Sequence, residues 1–266
     1  MSLRETACQF GNHQMLAGII SEPAGPPRRL GCVLVSAGLL PKFGPFRLYT
    51  QLARRLARQG LPTLRFDLGG IGDSPSSHSA EPLPERTRRE IAAAVDHLCT
   101  THGLDGVILG GLCSGAEDSF RYAEADPRVR AVVLIDPFCY ATTDAKVRYL
   151  ALRAARRALR ALGVYVPRPP LKGRRAVTYH YMEQSESRRI LTTLLARGVR
   201  THFVYTGGVS DTFNHERQLA GMFPGLDFKG LVTVDLFPRT DHTQFLQQDR
   251  DQLVEAIAAR VVTPRV

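Results

Sequence analysis

The sequence predicts an α/β protein with a mostly parallel sheet, on three observations. Short apolar runs alternate with amphipathic helical stretches along most of the 266 residues, the pattern left by strand–helix–strand units. Several of the runs are apolar throughout, as strands covered on both faces must be. The third is "GGLCSGA", residues 110–116, which sets Gly111-Leu112-Cys113-Ser114-Gly115 in a frame suited to a sharp turn from strand into helix.

The elements follow in order. Residues 5–10 and 14–20 read as an opening strand pair around Gly11-Asn12, and "CVLVSAG" (32–38) as a buried parallel strand ending in small residues. Residues 45–59 place Leu48, Leu52 and Leu56 on one helical stripe that stops before Gly60. "PTLRFDLGGIGDS" (62–74) is a strand and a glycine-rich loop, and 84–101 a helix with Ile91, Val95 and Leu98 facing inward. "GVILGGLCSG" gives the next strand and its exit turn, "AEDSFRYAEA" a helix start, and "RAVVLIDPF" (130–138) a further buried strand. "THFVYTGG" (201–208) and "VTVDLFP" (232–238) supply the last two strands. A final helix over 243–261 carries Phe245, Leu246, Leu253, Ile257 and Val261.

Residues 139–200 break the rhythm. They hold "AKVRYLALRAARRALRALG", then "PRPP", then a second helical stretch. About 60 residues is too long for a simple crossover, so the interval reads as a helical cap over the strand ends. That leaves 1–138 and 201–266 as one sheet core, a single domain with the cap inserted.

Composition narrows the function classes. At 44% hydrophobic and 23% charged residues the chain is an ordinary globular protein with ample core. MSLRETACQF lacks the apolar stretch of a signal peptide, and no apolar run nears the ~18 residues that span a bilayer, so a cytoplasmic location is expected. Five scattered cysteines (Cys8, Cys32, Cys99, Cys113 and Cys139) form no CxxC pair and no Cys/His cluster, which disfavours disulfides and zinc. Cys8, Cys32 and Cys99 sit in apolar patterns and read as small core residues. The net charge of +10 suits an acidic partner, an anionic substrate or a membrane surface, or reflects no more than solvated arginines. Nucleic acid is not expected, since no binding motif accompanies the charge.

The elbow bears on chemistry. A nucleophile on such a turn needs small residues two before and two after it, because backbone segments meet there. Cys113 has Gly111 and Gly115 in those places; Ser114 has Leu112 and Ala116. The thiol is therefore the predicted nucleophile, its thiolate favoured by the start of a helix. The base should be a histidine on a late loop. His242, in "TDHTQF", follows the strand 232–238, whereas His97 and His102 belong to a helix, His13 lies in the first turn, and His180, His202 and His215 remain as competitors. An acid must hold the histidine's tautomer. Asp211 in "YTGGVSDTF" is the first choice and Asp136, ending the strand 130–136, the second, while Asp241 reads as a loop residue. The amides of Ser114 and Leu39 are the expected donors to an oxyanion. "RFDLGGIGDS" lacks both the GxGxxG register and a following GK[ST], so it reads as a structural turn in which Asp67 accepts from backbone amides.

"SAGLLPKFGPFRLY", "LRFDLGGIGDS", "GGLCSGA", "LIDPF" and "TDHTQF", in that order over nearly the whole chain, resemble the α/β-hydrolase superfamily. Within it the likeness is to serine-aminopeptidase-like hydrolases, which include exosortase-associated members. The resemblance implies about eight strands and a lid between strands six and seven. Cys113 departs from the usual serine and looks like the cysteine of dienelactone hydrolases, polyhydroxyalkanoate synthases and some thioesterases and aminoacyl shuttles. It moves the expectation from hydrolysis alone towards acyl transfer through an acyl-cysteine, with ester or lactone hydrolysis as the alternative and a silent binding protein as another. No metal or organic cofactor is needed for that chemistry. In the cap, Arg148, Arg153, Arg156, Arg157 and Arg160 interleave with Leu150, Leu152, Leu159 and Leu162. They are candidates to hold substrate or partner: an acyl group on an acidic carrier protein, or anionic lipid. The bland alternative is a lid helix with its apolar face on the core and its arginines in water.

Overall fold

The computed structural model describes residues 3–76, 81–165 and 182–262. Eight strands form one sheet: β1 (Arg4–Phe10), β2 (Leu16–Glu22), β3 (Leu30–Val35), β4 (Thr63–Phe66), β5 (Gly106–Leu112), β6 (Val129–Ile135), β7 (Arg200–Thr206) and β8 (Val232–Phe237). Their order is β1-β2-β4-β3-β5-β6-β7-β8. β1 pairs antiparallel with β2, and β2 with β4, and every other pair is parallel. The order reverses at β3, which lies between β4 and β5, so the crevice beyond the carboxyl ends of β3 and β5 is the topological switch where open α/β sheets take ligands.

The helices are α1 (Leu48–Ala57), α2 (Leu83–His102), α3 (Ser114–Ala123), α4 (Thr143–Ala161), α5 (Gln184–Ala196), α6 (Gln218–Met222) and α7 (Gln247–Val262). Two cores result, one on each face of the sheet. On one face the α1 stripe Leu48, Leu52 and Leu56 meets Leu253 and Ile257 of α7 over Leu34, Ile108 and Val204. On the other, α2, α3 and α5 bring Ile91, Val95, Phe120, Leu191 and Leu194 onto Val33, Leu109, Leu134 and Phe203. Adjacent residues of β5, Ile108 and Leu109, thus enter opposite cores. The strand must be apolar at every position, which is how it reads. Each such side chain contributes about 1.5–3 kcal/mol by burial.

The structure adjusts two boundaries that matter. The last helix starts at Gln247, and Phe245 and Leu246 stay outside it, both exposed. Asp241 accepts from the Thr243 and Phe245 amides, and Arg250 donates to the Gln244 and Phe245 carbonyls, so the segment is held as a turn before the helix begins. The interval 139–200 also divides. α5 buries Ile190, Leu191, Leu194 and Leu195 and flanks the sheet as an ordinary crossover helix. α4 is the part that departs from the core, and Ala145 is its one buried residue. Of the residues between them, 166–181, which include the cap's "PRPP", lie outside the described set. No helix among the described residues is long and apolar enough to cross a membrane.

Candidate active site

The turn after β5 is the centre of the site. Cys113 connects β5 directly to α3 with φ 53° and ψ −118°, a region a non-glycine residue enters at a cost of about 1–3 kcal/mol. A side chain at Gly111 would collide with the backbone of Gly115, and one at Gly115 with the carbonyls of Val35 and Ser36. Both glycines are thus required by close backbone approach. The Cys113 amide donates to Ile135 O at 2.8 Å, and the Leu112 amide to the Tyr49 hydroxyl at 2.7 Å. That hydroxyl donates in turn to Val35 O at 3.0 Å, tying the end of β5 to its neighbour β3.

His242 arrives on the loop between β8 and α7. Its Nδ1 is 2.7 Å from Asp136 Oδ2, and the Cys113 side chain is a further hydrogen-bond partner of the ring. Burial works against a charge on this ring. The bonds to Asp136 and Cys113, and the attraction of both, outweigh it and lift the imidazole from 6.5 to about 10. Gly208 allows the approach: a side chain there would strike the His242 backbone, and the neighbouring Gly207 amide donates to Thr240 O at 2.8 Å.

Of the two candidate acids, the structure sets Asp136, the second choice, 2.7 Å from His242 Nδ1. Nδ1 makes one hydrogen bond, and Asp136 Oδ2 takes it. Asp136 ends β6 with φ 44° and is fully buried, and β7 holds it from the side: Oδ1 accepts from the Thr206 amide at 2.7 Å and Oδ2 from the Thr206 hydroxyl at 2.6 Å. Asp211 is half-buried, beyond the short turn Gly207–Val209 that follows β7. A signal for Asp136 existed in the sequence: "VVLIDP" runs apolar up to a single carboxylate, and an unaided charge does not end a buried strand.

Ser114 has another task. Its hydroxyl, 5% exposed, accepts the Gly38 amide at 2.9 Å and so joins the elbow to the loop after β3. There Leu40 N donates to Ala37 O at 2.9 Å, closing a turn with Gly38 at φ 55° and Leu39 as its outer residue, 86% exposed. With the Gly38 amide engaged by Ser114, Leu39 keeps its place as the loop's candidate oxyanion donor, opposite the Ser114 amide at the start of α3.

The remaining residues fall into plain roles. Asp67 accepts from the Lys42 amide at 2.5 Å and the Asp73 amide at 2.9 Å, and Lys42 Nζ bridges Asp67 and Asp73. The glycine-rich loop is therefore a clamp beside the site. Asp241 is a loop residue. His202 is buried in β7 against Thr233 and Asp235, and burial pushes it down to about 4. His215 Nδ1 accepts the Arg217 amide, His97 stacks on Phe10, and His180 lies outside the described residues. Backbone strain gathers at this edge of the sheet: Phe46, Arg47, Cys113, Asp136 and Gln244 all have positive φ. Arg153, Arg156, Arg157 and Arg160 are exposed on α4.

The family model of the serine aminopeptidases of type S33 matches residues 31–207, two thirds of the chain. No curated protein matches. Among solved structures, an α/β serine hydrolase without a lid from Xanthomonas campestris is 13% identical, with a TM-score of 0.62 over 100% of this chain and 98% of that one. An esterase domain from Rhodothermus marinus is 15% identical, with a TM-score of 0.60 over 98% of each chain. An α/β serine hydrolase homologue from Coxiella burnetii is 16% identical, again with a TM-score of 0.60 over 98% of each. These likenesses establish the α/β-hydrolase fold, with its eight-stranded, mostly parallel sheet flanked by helices. The chain belongs to the serine aminopeptidase S33 family.

Proposed function

We propose that this S33-family chain is an acyl-group enzyme that works through a covalent acyl-cysteine on Cys113, with His242 as base and Asp136 as the acid that orients it. One observation carries the reading: His242 stands hydrogen-bonded between Asp136 and the thiol, while the hydroxyl of Ser114, next in the chain, accepts from the Gly38 amide.

The ring favours its charged form, so it holds the proton that the thiol gives up, and Asp136 stabilises the resulting imidazolium. Cys113 Sγ attacks the carbonyl of a thioester or ester and forms a C–S bond. The carbonyl oxygen takes the negative charge, opposite the amides of Leu39 and Ser114. As the tetrahedral species collapses, His242 gives its proton to the departing thiol or alcohol. An acceptor N–H, O–H or S–H, or water, then attacks the thioester carbon. His242 takes the acceptor's proton and returns it to Sγ as the product leaves. A thioester retains enough reactivity for the acyl group to pass to an amine, alcohol or thiol, and this favours acyl transfer, including from a carrier-bound substrate.

A second reading, hydrolysis of an ester or lactone with the same residues, is favoured by the family and by the esterase domain of Rhodothermus marinus. Intact-protein mass spectrometry after incubation with a panel of acyl-thioesters tests the proposal, with Cys113→Ala and Cys113→Ser alongside. An adduct that maps to Cys113 and is lost in the alanine variant is expected. Faster decay of that adduct with an added amine or carrier thiol than in buffer marks transfer, and equal decay marks hydrolysis. An adduct on Ser114, or turnover that survives Cys113→Ala, overturns the acyl-cysteine.

A further inference from the structure

Among the described residues, helix α4 is the one long element without a place in the core. It carries Lys146, Arg148, Arg153, Arg156, Arg157 and Arg160 against Asp144 alone; six less one is +5, half of the chain's +10. At 3.6 residues per turn, Arg156, Arg160, Arg153, Lys146 and Arg157 fall within a sector of about 100°. Val147, Leu150, Leu152 and Leu159, with five alanines, fill about 200° of the remainder, interrupted by Arg148 and, in the first turn, by Thr143 and Asp144. A helix of that pattern normally lays its apolar side on a core. Here Leu150 is 62% exposed and Leu152 51%, so the lid-helix alternative, apolar face inward, does not hold.

The exposed apolar surface has a second centre. Leu39, Leu40, Phe43 and Phe46, in the segment after β3, and Phe245 and Leu246, just after His242, form a rim of exposed side chains, with the Phe46 and Phe245 rings edge to face at 5.0 Å. Apart from Met15 and Leu83, every exposed large apolar side chain among the described residues belongs to this rim or to α4 and its exit through Tyr165.

We propose that α4 seats the protein on an anionic lipid surface, its apolar sector in the headgroup–acyl boundary and its arginines among the phosphates. Charge complementarity selects that occupant. A second copy would set one +5 helix against another, and residues 166–181 bring Arg168, Lys172, Arg174 and Arg175 with no acid. An acidic protein would match the charge but would leave most of a 200° apolar sector in water, whereas an anionic bilayer satisfies both sectors at once. The inference is independent of the acyl-cysteine reading.

Flotation with vesicles of phosphatidylcholine alone, or of phosphatidylcholine with phosphatidylglycerol, tests it on the whole chain. Wild type and Cys113→Ala should both bind the anionic vesicles, less so as salt rises, and bind the neutral ones weakly. Each basic residue at an anionic surface multiplies affinity about fivefold, so the pair Arg153→Gln/Arg157→Gln should bind about 25-fold more weakly. Leu150→Gln/Leu159→Gln, with charge intact, should also lose binding. Both pairs should keep the wild-type circular dichroism, since the side chains they alter touch no core. Equal binding to the two vesicle types overturns the proposal. So does a stable dimer in light scattering that the leucine pair abolishes. Loss with the arginine pair but not the leucine pair overturns the seating of the apolar sector and leaves only an electrostatic contact with the phosphates.

Discussion

Helix α4 and the Cys113 site both leave the carboxyl edge of the sheet next to β6, and they are built in opposite ways. At the candidate site, the polar groups around Cys113 are themselves held: Asp136 by Thr206, His242 by Asp136, Gly38 by Ser114, and the end of β5 by Tyr49. On α4, among the described residues, the hydroxyl of Thr142 caps the helix by accepting from the Ala145 amide, Asn214 donates to the Ala145 carbonyl, and Arg153 lies over the Tyr149 ring, while its leucines are exposed. The first arrangement suits a reaction that needs fixed distances. The second suits a surface whose partner is supplied from outside. The neighbouring helix α5 makes the point from the same stretch of chain, for its leucines are buried where those of α4 are not.

The contrast breaks most sharply at His242. His242→Ala should slow acylation of Cys113 by about 10²–10⁴-fold, the usual worth of a positioned base, as read from acyl-adduct formation. The α4 pair Arg153→Gln/Arg157→Gln should leave that rate on a water-soluble thioester within about twofold, because it touches no part of the machinery. If the two variants lost rate equally, the division between the regions would fail.

Next in size is packing. Leu194→Ala in α5 should lower stability by about 2–5 kcal/mol, since it leaves a cavity in a filled core. Leu150→Ala and Leu159→Ala in α4 should stay within about 0.5 kcal/mol. Urea denaturation of the three variants reads the difference. A loss of more than about 2 kcal/mol at Leu150 would mean that α4 has a partner within the chain.

The imidazole sharpens the comparison through pH. Its folded value of about 10 lies above the ordinary 6.5, so the folded state holds the proton more tightly. The stabilisation is complete below pH 6.5 and is lost as pH rises through about 10. Between those limits the denaturation midpoint of the wild type should fall with pH, and that of Asp136→Asn should fall less, because the strongest raising influence is gone. Asp211→Asn should track the wild type. A wild-type slope in Asp136→Asn, or a flat one in Asp211→Asn, would return the acid's role to Asp211.

The smallest effect belongs to Ser114. Removing one hydrogen bond by Ser114→Ala frees the Gly38 amide and should cost about 0.5–1.5 kcal/mol in the acylation barrier, up to about tenfold in rate. Alkylation of Cys113 by iodoacetamide, which develops no oxyanion, should be unchanged. Equal slowing of both reactions would show that the hydroxyl acts on the thiol and not on the oxyanion loop.

Much of this was legible in the sequence, and the reasons are local. Strand β5 announces itself because a strand between two helical layers must be apolar at every position. The elbow does so because a side chain at Gly111 or Gly115 would strike backbone. His242 follows from chain order and loop position. These features depend on a few residues in succession, and a sequence records succession directly. What only the tertiary structure decided is which of several well-placed groups meet. Asp136 and Asp211 both follow strands that end at the same edge, and Thr206 reaching across from β7 favours Asp136. Ser114 sits beside the thiol in the chain, yet its hydroxyl belongs to the Gly38 loop 76 residues away. α4 and α5 have comparable apolar stripes, and only their placement against the sheet tells which is covered. Periodicity fixes where an apolar face lies on a helix; what covers that face depends on distant parts of the chain, or on another molecule altogether.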